Sequence, residues 1–206
     1  MRMSELSTAA GLPVATLKYY LREGLLHPGA ATAVNQAVYD DTHVRRARLV
    51  RALLELGNLQ LGEIKKVLAA ADDESVSLHD AFGVAQDAMV PARDRSGAAY
   101  ADALADVDAF VQRHRLHVRA DAGVRGMLAD ALVAMRSGGW QFDLAEFDER
   151  MPAVVAQAVS EVGQLPPDGR AGQMEASVIG TIAYEVATSA LRRLALEHAS
   201  WRRFGR

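Results

Sequence analysis

Apolar positions recur at helical spacing along almost the whole 206-residue chain. Leu6, Ala9 and Ala10 predict a short first helix with Ser4 as its cap. Gly11-Leu12-Pro13 follows, with glycine suited to end one helix and proline to begin the next. A second helix is predicted over 13–21, stopping near Gly24. Two helices joined by a short glycine-containing turn form a helix-turn-helix pattern. The period is lost between His27 and Val38, where Pro28, Gly29 and Asn35 interrupt it. Ala37-Val38-Tyr39 can form a strand there, so the segment reads as a small hairpin, or wing. A third helix is predicted from Asp41 or Thr42 to Leu56, closed by Gly57. The fourth spans 61–71 and carries Leu61, Ile64, Val67 and Leu68 on one face.

The acidic stretch Asp72-Asp73-Glu74-Ser75 is the candidate domain boundary, separating 1–72 from 73–206. Helical segments follow at 77–89, 91–117, 122–137, 143–161 and 172–201, with Ser77 and Asp80 spaced as a capping box. Pro91 either interrupts the second of these or starts a new helix. The fold class expected is mostly all-α: an N-terminal winged helix-turn-helix with a small β-wing, then an all-helical C-terminal domain.

On the second helix, Val14, Leu17 and Leu21 fall on one side and can pack on the first helix. Ala15, Lys18, Tyr19 and Arg22 fall on another, with Thr16 at its edge. Small residues near the start of a helix allow close approach to base edges, and cations and hydroxyls along its flank hold phosphates. An ordinary solvated surface helix has the same pattern. The third helix adds His43, Arg45, Arg46, Arg48 and Arg51. Arg45, Arg48 and Arg51 step down one flank, again either a phosphate-binding row or a solvated face.

Charge sharpens the choice. Residues 1–70 hold nine basic and six acidic side chains, leaving 14 basic and 20 acidic in the rest, for a net charge of −3. A basic head on an acidic body suits an anionic partner. No apolar stretch approaches a membrane span, and the start MRMSELSTAAGL lacks the pattern of a signal peptide, so a cytoplasmic protein without a membrane partner is expected. The chain has no cysteine, which excludes disulfides, thiolate metal sites and cysteine nucleophiles. His114 and His117 sit among Arg113, Arg115 and Arg119, whose charges repel a cation, so no metal site and no cofactor are expected. No phosphate loop, nucleophile elbow or HExxH motif occurs, so no enzyme activity is expected.

Residues 1–70 resemble the DNA-binding domain of the MerR-type (mercury-resistance-regulator) transcription factors. The likeness runs through Ser4-Glu5-Leu6, Gly11-Leu12-Pro13-Val14-Ala15-Thr16-Leu17-Lys18-Tyr19-Tyr20 and Arg22-Glu23-Gly24-Leu25-Leu26. It continues through Val38-Tyr39-Asp40, Leu54-Glu55-Leu56-Gly57 and Leu61-Gly62-Glu63-Ile64. The resemblance implies that Thr16, Lys18, Tyr19 and Tyr20 contact DNA, together with Arg22. Tyr20 lies nearer the apolar side and is also a candidate core residue. The wing departs from the family pattern, since 28–37 carries no cation; Asn35 and Gln36 are its candidate contacts.

The resemblance further implies a homodimer on a pseudo-palindromic promoter site in double-stranded DNA, with RNA polymerase and a small-molecule effector as candidate partners. The tail resembles the helical C-terminal region of one branch of the family through Ile179-Gly180-Thr181-Ile182-Ala183-Tyr184-Glu185 and Leu191-Arg192-Arg193-Leu194-Ala195. There, Ile179, Ile182, Ala183, Val186, Ala190, Leu191 and Leu194 form an apolar seam that is either core or subunit interface. Trp140, Phe142, Phe147 and Tyr184 are either a ligand pocket or core filling. Two rival functions remain at this stage: an excisionase-like architectural DNA-binding protein, and a ligand-sequestering helical protein or enzyme with a vestigial basic head.

Overall fold

The computed structural model describes residues 1–33, 36–167 and 169–205. The chain divides into two compact units, one formed by Met1–Val76 with Pro166–Arg206 and the other by Ser77–Leu165. Helices dominate both, and among the described residues the one sheet is a two-stranded antiparallel hairpin.

The first unit opens with α1 (Met3–Ala10) and α2 (Val14–Arg22). Helix α1 begins one residue before the expected cap. Ser4 lies inside it, and the Glu5 carboxylate instead accepts from the Arg2 backbone N–H at 2.6 Å. Gly11 ends α1 in the left-handed region (φ 66°), where its N–H reaches the Thr8 carbonyl. Leu6 and Ala10 are the buried stripe of α1, while Ala9 faces solvent. The wing is β1 (Ala30–Ala33) paired with β2 (Gln36–Val38), in register Ala30 to Val38 and Ala31 to Ala37. Gly29 is required before it, because a Cβ there would lie 2.8 Å from the Tyr39 ring and from the Val38 carbonyl oxygen.

Helix α3 (Asp41–Glu55) is capped by Asp40, whose carboxylate accepts the Thr42 and His43 backbone N–H groups. Val44, Ala47, Val50 and Leu53, with Leu49, put α3 at the centre of this core. Helix α4 (Leu61–Asp72) follows and buries Ile64, Val67, Leu68 and Ala71.

The second unit starts with α5 (Leu78–Met89), where the Ser77 hydroxyl accepts the Asp80 N–H as the capping spacing predicts. The stretch 91–97 after Pro91 is not helical, so the long helix expected there is only α6 (Ala98–Arg113). Helix α7 (Gly123–Ser137) packs on α6 around Ala103, Val107, Phe110, Ala129 and Leu132. A 3-10 turn at Leu144–Phe147 and a break precede α8 (Met151–Gly163), where one helix had been expected. No residue of α8 is buried in this chain.

The last helix, α9 (Gly169–Phe204), belongs to the first unit. Its N-terminal half buries Met174, Glu175, Val178 and Ile182 against α3 and α4. The Arg170 guanidinium donates to the carbonyls of Val76 and Ala70. From Ala183 onward every described side chain of α9 is exposed. The apolar seam read from sequence is therefore split: core up to Ile182, and a bare face beyond it.

Candidate nucleic-acid interface

Two buried anchors orient α2. Leu17 and Tyr20 face the core, which turns Ala15, Lys18, Tyr19 and Arg22 outward and leaves Thr16 half-buried at the edge. Val14 and Leu21 are only half-buried, so the packing side is rotated towards Tyr20 relative to the face expected from the apolar pattern. Tyr20 is 3% exposed, and burial, followed by the nearby Glu55 carboxylate, raises its pKa. It supports the helix from inside. Arg22 lies over the Tyr19 ring at 5.4 Å and near the Glu23 carboxylate at 3.7 Å, which steers the guanidinium along the outer face.

Beside this face an open groove of about 800 Å³ runs between α1, α2 and the wing. Arg2, Ser4, Lys18 and Thr32 contribute its polar lining, and Val14, Val38 and Tyr39 are among its apolar walls. The Met1 amino group donates to the Tyr39 carbonyl at 2.6 Å, and the Tyr39 N–H returns a bond to the Met1 carbonyl. Arg2 is the cation here that the sequence reading missed; its place is set by this long-range pairing, which leaves no periodic trace. Asn35 lies outside the described residues. Gln36 begins β2, but its side chain is outside the described set.

The arginine row of α3 has partners within the chain. Arg48 donates to the Ala9 carbonyl at 2.7 Å and so closes the exposed end of α1. Arg45 approaches Glu175 of α9 at 3.6 Å, buried Arg46 pairs with Asp72 of α4, and Arg51 binds Glu55 at 2.8 Å. Glu175 is buried enough that desolvation raises its pKa despite the nearby Arg46 and Arg45. The row thus ties α3 to its neighbours, and Arg45 and Arg48 each have an intramolecular role.

Of the four aromatic candidates, Trp140 and Phe142 line an open concavity of about 490 Å³ with Arg136, Gln141 and Asp143. Phe147 meets Phe142 edge-on at 5.5 Å, and both pack against the second unit's core. Tyr184 belongs to the other unit, on the exposed half of α9. His114 binds the Asp148 carboxylate at 2.7 Å.

A second polar cluster sits at the root of the wing, where Asp40, Thr42 and His43 share the start of α3 and the fold brings His27 to them. The His27 and His43 rings lie 3.9 Å apart, His27 Nε2 is 3.1 Å from the Thr42 hydroxyl, and His43 Nδ1 is 2.8 Å from Asp40 Oδ1. Hydrogen bonds from Thr42 and His43 hold the Asp40 carboxyl well below the usual carboxylate range. Burial, then His43 and Arg46, lower the pKa of His27.

An exposed second helix of a helix-turn-helix beside a groove walled by a β-hairpin defines a winged helix-turn-helix protein. The family model for MerR HTH family regulatory proteins matches residues 1–71. Similar proteins include the transcriptional regulator MerD of Acinetobacter calcoaceticus, 38% identical over 77 residues, covering 36% of this chain and 64% of MerD. The regulator HmrR of Sinorhizobium medicae is 32% identical over 85 residues, covering 41% of this chain and 57% of HmrR. The match thus spans less than two thirds of either curated relative. The crystal structure of a proposed transcriptional regulator from Streptomyces coelicolor A3(2) aligns over 100% of this chain and 99% of its own, with TM-score 0.77 and 30% identity. Residues 1–71 thus form a DNA-binding domain of the MerR family. No helix among the described residues is long and apolar enough to cross a membrane.

Proposed function

We propose that this protein is a sequence-specific, DNA-binding transcription regulator that acts as a homodimer on a pseudo-palindromic promoter site. The observation that carries the reading is the outward face of α2, with Ala15, Thr16, Lys18, Tyr19 and Arg22 standing beside the groove lined by Lys18 and Arg2. Ala15 and Thr16 are small enough for base edges to approach. Lys18 and Arg22 supply charge for the flanking phosphates, and Tyr19 a phenol.

The bare half of α9 supports the dimer. Gly180, Tyr184, Ala187, Leu191, Leu194, His198 and Trp201 are spaced alternately by four and three residues, the spacing of a coiled-coil seam. Tyr184, Leu191, Leu194 and Trp201 are 43–66% exposed in the single chain. In an antiparallel pair centred between Leu191 and Leu194, Leu194 of each chain meets Leu191 of the other. At 1.5 Å rise per residue, the two helices then leave their own units roughly 30 Å apart. Half-sites one turn apart on DNA are separated by about 34–36 Å, so this orientation suits two recognition helices in successive major grooves. A parallel pair would hold both heads at one end. The concavity at Trp140 falls within the size range of small-molecule sites and is the place we assign to an effector.

The test is fluorescence anisotropy of the full chain on DNA from upstream of its own gene, over a salt series. The expected result is tighter binding than to an unrelated duplex, weakening steeply with salt. Equal affinity for both duplexes would leave only an architectural DNA-binding role, and no binding to either would remove the DNA reading.

A further inference from the structure

We propose that His27, Asp40 and His43 form a binding site for one divalent transition-metal ion of the zinc type at the root of the wing. The three residues reach this point from two stretches of chain. His27 lies between α2 and β1, Asp40 follows β2 as the cap of α3, and His43 is in the first turn of α3. Their ligand atoms all lie within 4.8 Å of one another.

The donor atoms are close enough together to share one ion. Two ligands bonded to one tetrahedral ion at about 2.0–2.2 Å stand roughly 3.3–3.6 Å apart, so His43 Nδ1 and Asp40 Oδ1, hydrogen-bonded at 2.8 Å, separate slightly when the ion enters. The Asp40 backbone N–H donates to His43 Nδ1 at 3.1 Å, a bond that the ion must displace to reach that nitrogen. The Thr42 hydroxyl bonds to Asp40 Oδ1 and lies 3.1 Å from His27 Nε2, which places an oxygen as a fourth donor in the cluster. When the ion enters, His27 carries its hydrogen on Nδ1 and presents Nε2 to the metal.

The cluster is open on one side and closed on the other. His27 and Asp40 are exposed, which provides an entry path, whereas His43 is 4% exposed. His43 Nε2 is buried without a hydrogen-bond partner, so the protein leaves an imidazole desolvated and incompletely used. Buried Arg46 is the nearby cation, and its pairing with Asp72 offsets its repulsion of a metal.

Donor chemistry selects the ion. Two imidazoles and one carboxylate suit zinc, with cobalt, nickel and copper as chemical relatives, and are a poor match for calcium or magnesium, which prefer all-oxygen shells. Three protein ligands leave a fourth position for the Thr42 hydroxyl or water. A bound ion would join residue 27 to residue 40, the two ends of the hairpin, and so stiffen the wing on the unit that carries α2.

The experiment uses the full-length protein, stripped of metal with a chelator and titrated without DNA, so its result is independent of the DNA-binding reading. Zn²⁺ is followed by competition with a chromophoric chelator, and Co²⁺ by its visible absorption. The expected result is one ion per chain. Affinity should fall by at least about tenfold in His27→Ala and in His43→Gln, while His114→Ala, which removes a separate histidine–carboxylate pair, changes nothing. If His43→Gln does not fold, His27→Ala decides, because that side chain is exposed. Absence of uptake at millimolar Zn²⁺, or undiminished uptake by His27→Ala, would overturn the site and leave a plain hydrogen-bond cluster.

Discussion

Replacing Leu194 by glutamate tests the assignment of the bare half of α9 to a second subunit. Leu194 is 64% exposed in the single chain, so about two thirds of its burial remains to be gained on pairing. Full burial of a leucine side chain is worth roughly 1.5–3 kcal/mol, which makes the remaining part about 1–2 kcal/mol. A twofold dimer contains two copies, giving roughly 2–4 kcal/mol. That is a rise of about 30- to 1000-fold in the dimer dissociation constant. A carboxylate facing Leu191 of the partner adds a desolvation cost, so this range is a lower bound. Glutamate is a good helix former, and α9 itself should persist. Sedimentation across a dilution series measures the constant, and circular dichroism checks the helix. The reasoning is refuted if the dimer constant is unchanged, or if the variant loses helix and melts lower as a monomer. Gly180, at the start of the same seam, has open space where a Cβ would be, so its own chain does not require glycine there.

Lys18→Ala should weaken binding to every DNA sequence and make the salt slope shallower by about one unit, as anisotropy in a salt series would reveal; unchanged affinity would remove α2 from the interface. Ile182→Ala should destabilise the first unit by about 2–5 kcal/mol in urea unfolding, because Ile182 is 3% exposed in the core. A loss below 1 kcal/mol would mean that α9 is not anchored there. Glu175→Gln should melt at the same or a higher temperature at pH 7. The buried carboxyl has a raised pKa, so it binds its proton more tightly folded than unfolded, and its ionisation costs stability as pH rises through the folded value. The difference from wild type should shrink as pH falls towards the ordinary glutamate value of 4.5; a variant that melts lower at pH 7 would show that attraction to Arg45 and Arg46 prevails.

The local code of the N-terminal head is readable from the chain alone. Gly11-Leu12-Pro13 ends one helix and begins another, Ser77 caps α5, and the polar spacing of Ala15, Lys18, Tyr19 and Arg22 defines the outer face of α2. These features depend on neighbours within one or two helical turns, where backbone geometry alone sets which side chains share a face. Tertiary structure decided the rest. A row of arginines at helical spacing looks the same whether it meets phosphate or protein; only packing assigns Arg48 to the Ala9 carbonyl and Arg45 to Glu175. The apolar seam of α9 is continuous as a pattern, yet its burial ends at Ile182, which lies against Gly57 just past the end of α3, while α9 runs on. Asp40 and His43 share the start of α3, but only the fold brings His27 to them, and Tyr184 and Trp140 belong to two different units. Periodicity records which side of an element is apolar; which partner covers that side is fixed by long-range packing, and periodicity carries no record of it.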